Sequence, residues 1–137
     1  PKGAFDLIDE SYNANPLSMA AAIATLGRAK PGAGGRRIAV LGDMLELGPT
    51  GPDLHAGLAK PLAENRIDLV FASGALMNHL WPAIAQRQRG RYALSSSEIA
   101  AAVAGEVRAG DIVMVKGSYG SKMRVVVEAL NALSAQQ

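Results

Sequence analysis

Six polar residues crowd the stretch Asp9-Glu10-Ser11-Tyr12-Asn13-Ala14-Asn15, broken only by Ala14, directly after the apolar run around Leu7-Ile8 and directly before Pro16. A turn that only joined a strand to a helix would need about half as many. Part of the excess is structural: Asn is a preferred N-cap, and Pro is preorganised for the first helical position, so Asn15-Pro16 reads as a helix start. Asp9, Glu10 and Asn13 precede that cap. Their carboxylates and amide can accept ribose hydroxyls, hold a ligand ammonium, or reach a magnesium ion through water. A local Asx-type turn would satisfy one or two of them and leave the rest available.

Two further stretches hold comparable chemistry. In "LGDMLELG", Leu41 to Gly48, Asp43 and Glu46 lie between two glycines that permit tight backbone, and both acids are expected to face the crevice of Asp9. In "VKGSYGSKM", Val115 to Met123, Lys116, Gly117 and Ser118 form a glycine turn before an expected helix, suited to a carboxylate or phosphate. A glycine turn with no ligand is an equal reading of those residues alone. No G-x-x-x-x-G-K-[ST] loop can be read anywhere in the chain. His55 and His79 fall in separate expected helices without metal-ligand spacing, so no metal site and no catalytic triad is expected.

These stretches need elements to hold them. Apolar, β-branched runs alternate with alanine-rich segments of helical period. Strands are expected at Phe5–Asp9, Arg37–Leu41, Leu69–Ala72, Arg91–Leu94 and Ile112–Val115, and helices at Pro16–Arg28, Pro52–Asn65, Ala75–Arg87, Ser97–Arg108 and Lys122–Leu133. Pro61 predicts a kink or break in the second helix, and the terminal "SAQQ" carries no pattern. The alternation predicts an α/β fold: a Rossmann-like open, mostly parallel sheet with helices on both faces, forming a single domain over residues 1–137. Ligands of such sheets sit beyond the carboxyl ends of the strands, where all three stretches fall. Nine basic residues, among them Arg36, Arg37, Arg87, Arg89 and Arg91, fall instead at the opposite edge.

Composition narrows the class. The 137 residues are 49% hydrophobic, enough for one core, and 14 Lys plus Arg against 12 Asp plus Glu give a net charge of +2, too small to argue for nucleic acid. Few aromatics are available to stack on bases around "RQRGRY". The absence of cysteine excludes disulfides and thiolate chemistry, and no apolar run approaches a membrane span, so a soluble, cytoplasmic protein is expected.

"IDESYNANPLSM", "AVLGDMLELG" and "VKGS", in this order and spacing, resemble the C-terminal domain of the Mur ligases, in particular the branch that adds D-Ala-D-Ala to the peptidoglycan precursor. The resemblance implies one domain of a three-domain, ATP-dependent ligase. ATP would activate the carboxylate of UDP-N-acetylmuramoyl-tripeptide as an acyl phosphate, which the amine of D-Ala-D-Ala attacks. ATP and Mg²⁺ would be held mainly by the middle domain, which accounts for the missing phosphate loop. It implies no catalytic residue in this chain. Its nucleotide- and dipeptide-binding positions would be Asp9, Glu10, Tyr12, Asn13, Asn15, Asp43, Glu46, Lys116, Gly117 and Ser118. Two positions depart from the family pattern: Glu10 stands where a second Asp is common, and Tyr119 where Arg is frequent. A related Mur or folylpolyglutamate-type ligase, or a stand-alone ligand-binding module of the same architecture, remains an alternative.

If Asn15 is the cap and Asn13 is free for a ligand, the two asparagines separate on substitution. Asn15→Ala should cost about 0.5–2 kcal/mol, while Asn13→Ala should leave the melting temperature nearly unchanged; thermal denaturation of the two variants checks this.

Overall fold

Short β-branched runs without clean alternation belong to strands covered on both faces. In the computed structural model, which describes residues 4–134, they form β1 (Asp6–Glu10), β2 (Arg37–Gly42), β3 (Leu69–Ser73), β4 (Arg89–Ala93) and β5 (Ile112–Lys116). The reading of the terminal "SAQQ" falls almost wholly outside those residues. The strands make one sheet in the order β1-β5-β2-β3-β4, every pair parallel. The α/β, Rossmann-like expectation holds.

The helices are α1 (Pro16–Arg28), α2 (Gly51–Ala56), α3 (Ala59–Glu64), α4 (Ser96–Glu106) and α5 (Arg124–Ser134). Strand residues alternate between two cores. Ala39, Leu41, Val70, Ala72 and Met114 pack under α1 and α3 with Met19, Ile23, Leu26 and Leu62. Ile38, Val40, Phe71, Val113 and Val115 pack under α4 and α5 with Ile99, Val103, Val126 and Leu130. The chain therefore leaves β1 toward one face and β5 toward the other, although β1 and β5 are neighbours. Divergence of adjacent connections opens a crevice between their carboxyl ends, the place where such sheets bind ligands.

Two expected helices differ. The second is broken at Gly57-Leu58 into α2 and α3. Pro61 is the cause: it has no N–H to offer the Gly57 carbonyl four residues back, and its ring crowds that carbonyl. The third, expected at Ala75–Arg87, is not an α-helix but three short 3₁₀ turns at Leu76–His79, Trp81–Ala83 and Gln86–Gln88. Pro82 denies the Asn78 carbonyl its helical donor in the same way. The segment is held by burial of Met77, Leu80 and Ile84 and by packing of Trp81 against Tyr92, ring centroids 6.1 Å apart.

The amino edge of the sheet carries a bidentate ion pair between Arg36 and Asp111. Asp111, 1% exposed, accepts hydrogen bonds from Arg36 Nε (3.2 Å) and Nη2 (2.9 Å) and from the backbone N–H groups of Arg36 (2.9 Å) and Arg108 (2.7 Å). The same guanidinium reaches Glu106 at 2.7 Å. Arg36 is thus spent on internal structure. Burial by itself would raise the Asp111 carboxyl, but the Arg36 hydrogen bonds and charge, with the two backbone donors, outweigh it and hold the carboxyl below its ordinary value.

A lowered folded value means that the stabilisation is complete above the ordinary carboxylate range, near pH 4, and is lost as pH falls through the folded value. Asp111→Asn should cost about 3–5 kcal/mol at neutral pH by leaving Arg36 without its charge partner. Below pH 4 the difference between variant and parent should shrink. Denaturant titrations of both proteins at pH 7 and pH 3 measure it.

Candidate functional site

The crevice is built by the loops after β1, β2 and β5, which are tied to one another by polar contacts. Register places Lys116, the last residue of β5, beside Glu10, the last of β1. The Lys116 ammonium donates to Glu10 Oε1 and to the backbone carbonyl of Asn13, both at 3.0 Å, and the residue is 3% exposed. Ser118 continues the tie: its N–H donates to the Asp43 carbonyl (3.1 Å), its Oγ accepts from the Leu45 N–H (2.9 Å), and the same hydroxyl faces the Ala14 carbonyl at 3.4 Å. One serine thus touches all three loops.

The first loop is ordered by its own side chains. Asp9 Oδ1 accepts from the Ser11 N–H (3.0 Å) and hydroxyl (2.7 Å), a local Asx turn, and Oδ2 meets Arg124 Nη1 at 3.2 Å. Asn15 caps α1: its Oδ1 accepts from the Ser18 N–H at 2.8 Å, and the Ser18 hydroxyl accepts the Asn15 N–H at 3.1 Å, a reciprocal capping box. Asn13 is different. Its side chain is exposed and makes no hydrogen bond among the described residues; only its backbone carbonyl is used. Tyr12 is 66% exposed.

In the second loop Asp43 is 8% exposed, and its carboxylate accepts the N–H groups of Leu76 (3.1 Å) and Met77 (3.0 Å). Gly74 is required beside it, because φ is +117° there and a Cβ would lie 2.4 Å from the carboxylate. Tyr92 donates its hydroxyl to the Gly74 carbonyl at 2.8 Å; burial, and then the charge of Asp43, hold that phenol above its ordinary value, so it stays a donor at neutral pH. His55, fully buried, accepts the Met44 N–H at Nε2 (2.9 Å) and faces the Gly51 carbonyl with Nδ1 (2.7 Å). Since an amide can only donate, Nδ1 carries the proton and the ring is neutral. Glu46 is exposed with φ +65°.

Two hollows open between these loops. The first, about 560 Å³, lies in the β1/β5 crevice and is lined by Ser11, Tyr12, Tyr119, Lys122 and Arg124, with Gly120 and Val125. The second, about 410 Å³, lies toward β3 and β4 and is lined by Asp43, Leu45, Gly74, the serines Ser73 and Ser95–Ser97, and the same Gly120 and Lys122. Asp9 and Asp43 therefore do not share one crevice as expected. β5 stands between the strands that carry them, and the Gly120–Lys122 turn forms the ridge between the hollows.

Residues that bind within the loops and residues that face the hollows are thus different sets. Glu10, Asn15, Lys116, Gly117 and Ser118 are engaged internally, Asp9 and Asp43 largely so, while Tyr12 and Asn13 remain available. Sequence reasoning missed Lys122 and Arg124, and it saw Tyr119 only as a departure. Lysine in a turn gives no signal that its φ is +60°, and nothing local could pair Arg124 with a carboxylate 115 positions earlier. Among the described residues no three His, Asp or Glu cluster as a metal site.

Because Lys116 is buried and doubly bonded within the chain, Lys116→Met should destabilise the protein by about 2 kcal/mol. Amide chemical-shift changes should concentrate in residues 10–15. An exposed ligand-binding lysine would leave both unchanged.

Similarity to known proteins extends over most of the chain. The family model described as "Mur ligase, glutamate ligase domain" matches residues 2–119. The UDP-N-acetylmuramoyl-tripeptide–D-alanyl-D-alanine ligase of Bacillus subtilis is 32% identical over 90% of this chain and 27% of its own length, and that of Mycobacterium tuberculosis (strain H37Rv) is 34% identical over 92% and 28%. The crystal structure of MurF ligase from Thermotoga maritima in complex with ADP superposes with a TM-score of 0.76 at 28% identity, covering 93% of this chain and 28% of that one. An isolated domain solved from Haemophilus ducreyi shares the fold alone, at 15% identity and a TM-score of 0.55 over 93% of this chain and 96% of that one. The chain spans about a quarter of the length of the curated relatives it matches. A match across most of the chain, which includes the three stretches that meet at one sheet edge, establishes that the chain belongs to the Mur ligases, as their glutamate ligase domain.

Proposed function

We propose that the chain is the C-terminal, substrate-closing domain of an ATP-dependent ligase that joins D-Ala-D-Ala to UDP-N-acetylmuramoyl-tripeptide. The observation that carries the reading is the assembly of the "SYNANP", "LGDMLELG" and "KGS" stretches at one sheet edge, in a chain whose relatives bear that ligase's name over about nine-tenths of its length. The relatives extend well beyond the matched region. We assign ATP and Mg²⁺ to that remainder, in a cytoplasmic enzyme. The residues described here do not fit a resident metal: Asp43, Glu10 and Asp9 are already committed to N–H groups, to Lys116, and to Ser11 and Arg124.

What the chain contributes is positioning. Tyr12 lines the β1/β5 hollow with Arg124 and Lys122, and the side chain of the next residue, Asn13, is exposed and makes no hydrogen bond among the described residues. A nucleotide or the incoming dipeptide entering that hollow would meet aromatic faces and two cations, with the Asn13 amide on the adjoining residue. The geometry of Lys116, Ser118 and Asn15 holds those groups in place before the ligand arrives, which reduces the ordering cost of binding.

The chain alone should release no phosphate from ATP in the presence of both carbohydrate and dipeptide substrates, since positioning without bound phosphates does not accelerate their transfer. Asn13→Ala in the full-length ligase should lower kcat/KM about ten- to a hundredfold, the loss of one strong hydrogen bond, with the melting temperature nearly unchanged. Asp43→Asn is a poorer probe, because it also removes the cap of Leu76 and Met77. Normal kinetics for Asn13→Ala, or phosphate release by the chain alone, would overturn the proposal.

A further inference from the structure

The net charge of +2 hides an uneven distribution. Asp9, Glu10, Asp43 and Glu46 stand at the carboxyl ends of β1 and β2 or just past them. At the amino edge Arg28 ends α1, Arg37 opens β2, Arg66 follows α3, and Arg87, Arg89 and Arg91 lead into and along β4. None of these six arginines makes an ion pair among the described residues, whose salt bridges use Arg36, Lys116 and Arg124. All of the six except Arg37 are exposed.

Three hollows join them. One of about 380 Å³ is lined by Arg28, Arg37 and Arg66, a second of about 290 Å³ by Arg66 and Arg87, and a third of about 390 Å³ by Arg89 and Arg91. Arg66 belongs to the first two, so the cations form a band along the edge. The acids in the same linings are Glu64, Asp68 and Glu106. Glu106 is paired with Arg36, and Asp68 accepts the Arg37 N–H at 2.8 Å, so the band keeps an excess of positive charge.

The backbone holds the band in place. Arg66 follows the last turn of α3 with φ +55°. Its N–H donates to the Ala63 carbonyl and the Ile67 N–H to the Leu62 carbonyl, both at 3.2 Å, a helix stop whose left-handed residue is usually glycine. Glycine would end the helix there without strain, so the fold itself does not call for the Arg66 side chain. Gln88, 4% exposed, donates to the Leu62 carbonyl at 3.2 Å and the Ile67 carbonyl at 2.8 Å. That ties the turn before β4, and with it Arg87 and Arg89, to the turn that carries Arg66. Arg37 Nε donates to the Ala29 carbonyl at 3.1 Å.

The chemistry of the occupant follows also from what this edge lacks. The large apolar side chains exposed among the described residues, Tyr12, Leu17, Leu45, Leu94 and Tyr119, all lie on or beside the loops of the carboxyl edge. Trp81 and Tyr92 pack on each other. The band therefore has no aromatic anchor of the kind that centres a protein interface, and no stacking platform for single-stranded nucleic acid. Without such anchors, guanidinium groups suit a plane of phosphates, each taken by the N–H fork of an arginine. Docking by this edge also turns the acids of the carboxyl edge away from a negative surface.

We propose that the amino edge, from Arg28 and Arg37 through Arg66 and Arg87 to Arg89 and Arg91, is a docking surface for an anionic lipid bilayer, held by headgroup phosphates without insertion. It stands independently of the ligase assignment, because it rests on the charges of this chain and leaves the carboxyl edge free.

The test is co-sedimentation of the chain with phosphatidylcholine vesicles, with and without phosphatidylglycerol, over a sodium chloride series. The chain should sediment only with vesicles that contain phosphatidylglycerol, and salt should release it, because the surface potential acts within a Debye length. Arg87→Gln should weaken binding about fivefold, the share of one cation near the headgroups. Arg66→Gly should weaken it equally while its melting temperature is kept or raised by relief of the positive φ, which separates lost binding from lost folding. Lys122→Gln, which removes the same charge from the carboxyl edge, should bind vesicles as the parent does. The proposal is overturned if phosphatidylglycerol vesicles do not retain the chain, if Lys122→Gln weakens binding as much as Arg87→Gln, or if duplex RNA is bound more tightly than the vesicles at the same ionic strength.

Discussion

The carboxyl edge depends on how closely two central strands can end. Gly42 closes β2 and Gly117 follows β5, and a Cβ on either would strike Met123 and Ser121, at 2.5–2.7 Å from Gly42 and 2.5–2.7 Å from Gly117. Because both positions are glycine, Met123 drops into the core between the strand ends and Ser121 bonds the Ser118 carbonyl above it. That seat fixes the turn Tyr119–Lys122, and the turn divides the edge into two hollows. An alanine at either glycine would lift the turn and merge or close them.

Lys116 has a comparable role on the other side of β5. Burying an ammonium is costly unless it is fully bonded, and here Glu10 and the Asn13 carbonyl supply the bonds. The consequence reaches the ligand side: by holding the Asn13 carbonyl inward, Lys116 leaves the Asn13 amide and the Tyr12 ring facing out. The charged residue that looked most suited to an anion is the strut. At this edge, among the described residues, Lys122 makes no ion pair and Arg124, paired with Asp9, stays mostly exposed.

The two sheet edges divide the labour. At the amino edge Arg36, Asp111 and Glu106 form a network with the backbone of β2 and of the loop before β5, which concerns stability. At the carboxyl edge, outside the Lys116–Glu10 strut, Asp9 pairs with Arg124 while both stay partly exposed, and exposed apolar side chains gather: Tyr12, Leu17, Leu45, Leu94 and Tyr119 all lie on or beside the loops that follow strands. Such a surface is suited to being covered in a functional state.

Periodicity alone determined the strands and the parallel order class, because burial on both faces of a strand and one face of a helix leaves its mark residue by residue. It also determined the start of α1, since Asn15-Pro16 acts through neighbours in the chain. The third expected helix failed at Pro82, where a periodic apolar pattern in Met77, Leu80 and Ile84 was served equally by 3₁₀ turns. Which polar residues of the carboxyl edge are paired within the fold was not legible. Glu10 meets Lys116 across 106 positions, Arg124 meets Asp9 across 115, and Ser118 meets Leu45 across 73. Those partners are set by strand order and register, which place β5 between β1 and β2. Local sequence carries the type of a side chain, but only the assembled sheet decides whether its charge is spent inside the fold or left facing the hollow.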